Sequence, residues 1–216
     1  MFVIRSTLGQ SFQLIRDNDE AIARWVSHVI SPHIVGVVLV SIITLNYSDN
    51  PVEVLLWLAL IMPLIVLPPL VYLLWLVHTG SLEDIYMPTR KTRLRPLTVL
   101  MIWFFVCLML IRYWEATPLV EALVLATMVL VGVLSLVTLF WKISFHGATI
   151  TAAATATMMV AGSYYAWPVM LLVPLVGWSR IRLKRHTPRQ VIYGSLVGAL
   201  IALMLVHGLL LRLLPT

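Results

Sequence analysis

From residue 54 to residue 78 the chain carries no formal charge. A run this long exceeds what a soluble core of this size can hide, and about 20 apolar residues are enough to cross the hydrocarbon of a bilayer. The remainder follows suit, since 61% of the 216 residues are hydrophobic and only 11% are charged. The sequence therefore predicts an all-α, polytopic transmembrane helical bundle of about six or seven spans.

Seven apolar segments can be drawn, at 30–47, 52–78, 97–114, 119–141, 147–164, 166–178 and 188–214. The second contains Pro63, Pro68 and Pro69, which in a membrane helix indicate kinks rather than a break. The sixth is short and holds Pro168 and Pro174. Ahead of them, Arg5, Arg16, Asp17, Asp19, Glu20 and Arg24 interrupt every apolar run, so the start lacks the centre of a cleaved signal peptide. Asp19 or Asn18 is placed to cap a short helix whose Ile22, Trp25, Val26 and Val29 share one face, which predicts an interfacial amphipathic helix. The expected organisation is an interfacial segment, 1–29, and a transmembrane domain, 30–216.

Counting spans assigns loops to sides. Loops 79–96, 142–146 and 180–187 are separated by two spans each and face one compartment. Arg90, Lys91, Arg93, Arg95, Ser144, His146, Arg180 and His186 are thereby expected together. The opposite loops hold Asp49, Glu53, Glu115 and Glu121, with Arg112 as their main cation.

The densest cationic cluster lies between Arg180 and Gln190. Basic residues beside a span are ordinarily a topology signal. The local grammar adds to this: Thr187 is suited to the N-cap, Pro188 to the first helical position, and Gln190 to the partner position of a capping box. His186 then stands just ahead of a helix N-terminus, an end that attracts phosphate. With Arg180 aimed at the same place, a phosphoryl group is held by charge-assisted hydrogen bonds while an imidazole attacks its phosphorus, with no metal required.

The spacing of Ser179, Arg180, His186, Gln190, Val191 and Gly194 resembles the third signature of the type 2 phosphatidic acid phosphatase family, integral-membrane enzymes that remove phosphate from lipids. Ser144-Phe145-His146-Gly147 resembles the second signature, with Ile143 in place of its proline and Phe145 in place of a small residue. Arg95-Pro96 is similar to the end of the first signature, whose lysine position falls on Pro88; Arg90 or Lys91 takes that role from another register. The resemblance implies that His186 is the nucleophile and His146 the general acid. It also implies phosphate contacts from Arg90, Lys91, Arg95, Ser144, Gly147, Ser179 and Arg180. Where the family has Asp, this chain has Gln190, and His-Thr-x-x-Gln-Val looks like the polyprenyl or dolichyl diphosphatase branch. Gln190 either orients the imidazole or completes the capping box, and the two roles are not exclusive. The implied substrate is a lipid phosphate or isoprenoid diphosphate, with no cofactor and no nucleic-acid partner, the net charge of +6 gathering near membrane edges.

A prenyltransferase that holds diphosphate through magnesium needs several clustered carboxylates. Only Glu83 and Asp84 lie near the basic loops. His28, His33, His78 and His207 show no ligand spacing. The small residues of 147–162 suit close helix packing, and Thr149, Thr151, Thr155 and Thr157 carry no chemistry. A second class of function stays open, a non-catalytic lipid-binding or transport protein on the same bundle.

Sidedness follows from the cations that phosphate chemistry does not claim. The motif side keeps Lys142, Arg182, Lys184, Arg185 and Arg189, against Arg112 and Arg212 opposite. By the positive-inside tendency the N-terminus is inside, the C-terminus outside, and the site opens to the cytoplasm. A cysteine introduced at Lys184 is expected to resist an impermeant reagent added to intact cells, and a reporter fused after Thr216 to read as external. The reverse pattern overturns the assignment.

Overall fold

The computed structural model describes residues 18–47, 50–82, 93–116 and 118–213. Their regular structure is helical throughout: α1 (Asn18–Val29), α2 (Pro32–Tyr47), α3 (Pro51–His78), α4 (Leu94–Tyr113), α5 (Pro118–Phe140), α6 (Phe145–Ala161), α7 (Ser163–Arg182) and α8 (Pro188–Leu213). Three stretches have the length and apolar composition to cross a membrane, Ala59–His78, Leu94–Tyr113 and Pro188–Gly208. A fourth is reached if α1 and Pro32–Leu39, bent by 44° at their junction, count as one. Large apolar side chains such as Leu56, Val71, Ile102, Leu171, Leu196 and Met204 point outward. Such a surface is suited to lipid, as in an integral membrane protein.

α3 runs unbroken for 28 residues through its three prolines. Pro68 has no N–H to offer the carbonyl of Leu64, one helical turn earlier. The indole of Trp103 on α4 supplies the missing donor, its Nε1 reaching the Leu64 oxygen at 2.8 Å. The backbone group that proline frees inside the bundle is thus satisfied by a neighbouring helix. Below this contact Ile61, Phe104, Leu108, Ile111 and Val124 form a buried cluster joining α3, α4 and α5.

Several boundaries differ from the sequence expectation, most of all those of α6 and α7. α7 extends from Ser163 to Arg182 rather than over 166–178, both prolines included. α6 ends at Ala161 because Gly162 adopts φ +82°, a conformation open to glycine, and the chain reverses there instead of near Tyr164.

α6 is the central helix, packed chiefly on α8 and α7 and also on α2. Its Gly147, Ala148, Ala152, Ala153, Ala154 and Ala156 are buried, the small-residue packing that its composition indicates. The facing positions on α8 are glycines. A Cβ at Gly194 would lie 2.6 Å from the Ser144 oxygen, and one at Gly198 only 2.1 Å from the Ala148 oxygen. Neither neighbour is a side chain that can swing away.

Replacing Gly198 by Ala is therefore expected to force α6 and α8 apart and to destabilise the protein by about 1–3 kcal/mol, as overpacking does. Gly208→Ala, where a Cβ meets nothing within 4 Å, is the matched control and should be neutral or stabilising. Unfolding in detergent micelles compares the two, and equal effects would sink this account of the contact.

Candidate functional site

The turn from α7 to α8 is built on the backbone of Arg180. Leu183 caps α7 and Lys184 takes the left-handed conformation at φ 53°. Arg185 N–H reaches the Arg180 carbonyl at 3.1 Å and Lys184 N–H reaches that of Ile181 at 2.9 Å, the paired bonds of a Schellman motif. His186 N–H also donates to the Arg180 carbonyl, at 3.2 Å, so one carbonyl fixes where the histidine stands.

The next helix begins as the sequence predicts. Gln190 N–H donates to Thr187 Oγ1 at 3.4 Å, and Thr187 N–H donates to Gln190 Oε1 at 3.2 Å, closing the capping box. The same Oε1 lies 3.1 Å from Nδ1 of His186. An oxygen that accepts from Thr187 N–H is the amide carbonyl, so the proton of this second bond sits on Nδ1. Orienter and cap are one side chain, and the lone pair of His186 is left on Nε2.

Ser144, the N-cap of α6, accepts Gly147 N–H on its hydroxyl at 3.2 Å. Its own N–H donates to the Gln190 carbonyl at 3.2 Å, tying the start of α6 to the first turn of α8. His146 follows in the first turn of α6. Its Nε2 lies 3.3 Å from the carbonyl oxygen of Ser27 on α1. A carbonyl only accepts, so Nε2 carries the proton here and the lone pair sits on Nδ1.

Arg180 is 2% exposed, and its Nη1 donates to the hydroxyl of the same Ser27. Beside it opens a cavity of about 510 Å³. Arg93 enters from ahead of α4, Lys142 from the α5–α6 loop, and Arg180, Arg182, Lys184 and Arg185 from the α7–α8 turn. The three loops that span counting assigns to one side thus meet in one basin. The remaining wall is α1, through Glu20, Arg24 and His28. Among the described residues Glu20 is the one carboxylate lining the cavity, and it pairs with Arg182 at 3.0 Å.

Confinement lowers the proton affinity of Lys142 and Arg93. Burial, then the charges of Arg93, Arg180 and Arg185, pull the Lys142 ammonium down, and burial lowers Arg93. His186, 8% exposed, is lowered to about 3, chiefly by burial, then by Arg180, Arg93 and Lys142, with the Gln190 bond opposing. His146, in the first turn of α6, is held well below the usual imidazole range by burial first and Arg180 second. Both imidazoles are therefore neutral near pH 7, and an anion beside them would offset the repulsion from the cations, though not the burial that lowers them most.

Of the residues implied by the resemblance, Arg180 lines the cavity, while His146, His186 and Gln190, with Ser144 and Gly147, stand close to Arg180 without lining the cavity. Arg95 is not with them: it is exposed, and Arg93 is the buried arginine of that loop. The helix begins at Leu94, and two positions on a helix differ by about 200° in direction, so the register turns Arg95 outward. Ser179 is buried, but its hydroxyl donates to the Val176 carbonyl within α7 at 2.9 Å and does not line the cavity. Arg90 and Lys91 lie outside the described residues. Sequence reasoning missed Ser27 and Glu20, whose contacts with α6 and α7 bridge more than a hundred positions and leave no local signal. Among the described residues no three of His, Cys, Asp and Glu come together as metal ligands. No family model, curated protein or solved structure matches the chain.

The buried neutral His186 has a consequence for stability. Its pKa falls from 6.5 in the unfolded chain to about 3 in the folded one, so the unfolded chain binds more protons between these values. Stability is then full above 6.5 and declines as the pH falls through this window. His186→Asn should flatten that decline, measured as the unfolding midpoint against pH in detergent. A decline as steep as that of the wild type would refute the assignment.

Proposed function

We propose that this protein is an integral-membrane lipid phosphatase, a member of the type 2 phosphatidic acid phosphatase family nearest the polyprenyl diphosphatase branch. It hydrolyses a polyprenyl diphosphate or a related lipid phosphate through a phosphohistidine, without a metal. The observation that carries the reading is the pair of imidazoles, each with its tautomer set by a carbonyl oxygen, close to the buried Arg180 of a cation-lined basin. In this reading α2 to α8 form the seven spans, α1 lies at the interface, and the basin opens to the cytoplasm.

His186 Nε2 attacks the terminal phosphorus while the bond to the lipid-side oxygen breaks. His146 delivers a proton from Nδ1 to that departing oxygen, keeping its Nε2 proton on the Ser27 carbonyl. Arg180, Arg93 and Lys142 hold the phosphoryl oxygens as charge redistributes, and Ser144 adds its hydroxyl. Water then attacks the phosphohistidine and yields its proton to His146, and inorganic phosphate leaves. The depressed affinity of His186 for protons keeps it a free nucleophile at neutral pH. The proton on His146 arrives with the substrate, whose negative charge offsets the surrounding cations.

Purified protein is expected to release phosphate from polyprenyl diphosphate in EDTA, with a bell-shaped rate profile against pH. His186→Ala should abolish release in a protein that still unfolds cooperatively. His146→Ala should slow substrates with poor leaving groups by about 10²-fold or more, the usual scale of general-acid catalysis, and good ones far less. Binding of lipid phosphate without any turnover would instead identify a lipid-binding or transport protein, and equal losses for both leaving groups would remove His146 from the acid role.

A further inference from the structure

Ser27 stands where two parts of the site meet. Its hydroxyl accepts from Arg180 Nη1 and its carbonyl accepts from His146 Nε2 at 3.3 Å, and it is 1% exposed. We infer that Ser27 is a positioning residue, which holds the Arg180 guanidinium and the His146 imidazole in the orientations that receive a phosphoryl group. The inference rests on reading the basin as a phosphate site, and it makes α1 a structural part of that site as well as a membrane-edge helix.

The chemistry of the contact favours positioning over plugging. A guanidinium presents five N–H donors in a rigid fork, and a hydroxyl that accepts one of them fixes the plane without cancelling the charge. A carboxylate at this place would neutralise Arg180 and stand in for the phosphate itself. The hydroxyl also keeps its own proton for donation. Its backbone carbonyl belongs to the last turn of α1, where helix geometry leaves carbonyls without intrahelical partners and gathers partial negative charge. That end faces a histidine that must be held by its Nε2 proton.

α1 is anchored well enough to serve. Ala23 and Val26 are buried on the same face as Ser27, and Glu20 grips Arg182 about two turns before Ser27. The opposite face, with Ile22, Trp25 and Val29, is exposed and apolar. A helix held in lipid on one side and on the site by the other keeps Ser27 at a fixed depth.

The test uses the full chain in nanodiscs, with inorganic phosphate as the probe. Ser27→Ala removes the hydroxyl at almost constant volume. It should raise the dissociation constant for phosphate about tenfold, the scale of one hydrogen bond to a charged group. Ser27→Thr, which keeps the hydroxyl, should restore affinity. In the anion-free protein the Arg180 guanidinium should give slowly exchanging ¹⁵N resonances in wild type and Ser27→Thr, and lose them in Ser27→Ala. Tighter phosphate binding by Ser27→Ala would show that Ser27 competes with the anion, and unchanged binding that it merely packs; either overturns the inference. A wild type that binds no phosphate sinks the phosphate-site reading, and the guanidinium resonances then still decide whether Ser27 orders Arg180.

Discussion

The Ala148 carbonyl lies so close to Gly198 that nothing larger than hydrogen fits between α6 and α8 there, and one turn earlier Gly194 meets the Ser144 carbonyl in the same way. Two helices in backbone contact share their polar ends. Because α8 sits this near, the Gln190 carbonyl accepts Ser144 N–H, and the starts of the two helices are joined by a hydrogen bond instead of a side-chain layer. His146 follows one of these starts and His186 precedes the other. Their common place at the rim of the basin is therefore a result of glycine spacing on α8, and a bulkier α8 would separate the histidines whatever their own identities.

Charge organises the rim around this contact. The N-terminus of α8, which follows His186 directly, adds its partial positive charge to that of the cations nearby. The C-terminal turn of α1 brings the opposite sign, through a carbonyl on His146 and a hydroxyl on Arg180. Glu20 offsets part of the charge at the outer edge, on Arg182. The inner cations, Arg93, Arg180 and Lys142, are those whose mutual repulsion and burial depress proton affinity in the site.

What the sequence made legible was local or countable. The capping box of Thr187, Pro188 and Gln190 needs only four neighbouring residues, and it appears with the expected bonds. The meeting of three loops needs only the parity of the segments between them, and Arg93, Lys142 and Arg180 do line one cavity. Rotation about a helix axis is harder, because it depends on where the helix starts: three residues of difference, Leu94 against residue 97, leave the phase of Arg95 undetermined, and Arg93 takes the inward place. The docking of α1 was not legible at all. Ile22, Trp25 and Val29 are exposed together as expected, but Val26, expected on that same face, is buried with Ala23 and Ser27, residue types that carry no functional signal. The wider reading of six or seven spans rests on segments that the composition of α3, α4 and α8 alone makes long and apolar enough.

Trp103 does more than satisfy the carbonyl that Pro68 leaves open. A hydrogen bond from a rigid indole to one particular carbonyl on the facing helix defines the axial offset of α4 against α3, as a peg defines the offset of two boards. Arg93 lies ten residues before Trp103, about 15 Å along the axis at the rise of an α-helix. The depth at which Arg93 enters the basin is accordingly dictated from inside the bundle, by a side chain that never touches the basin itself.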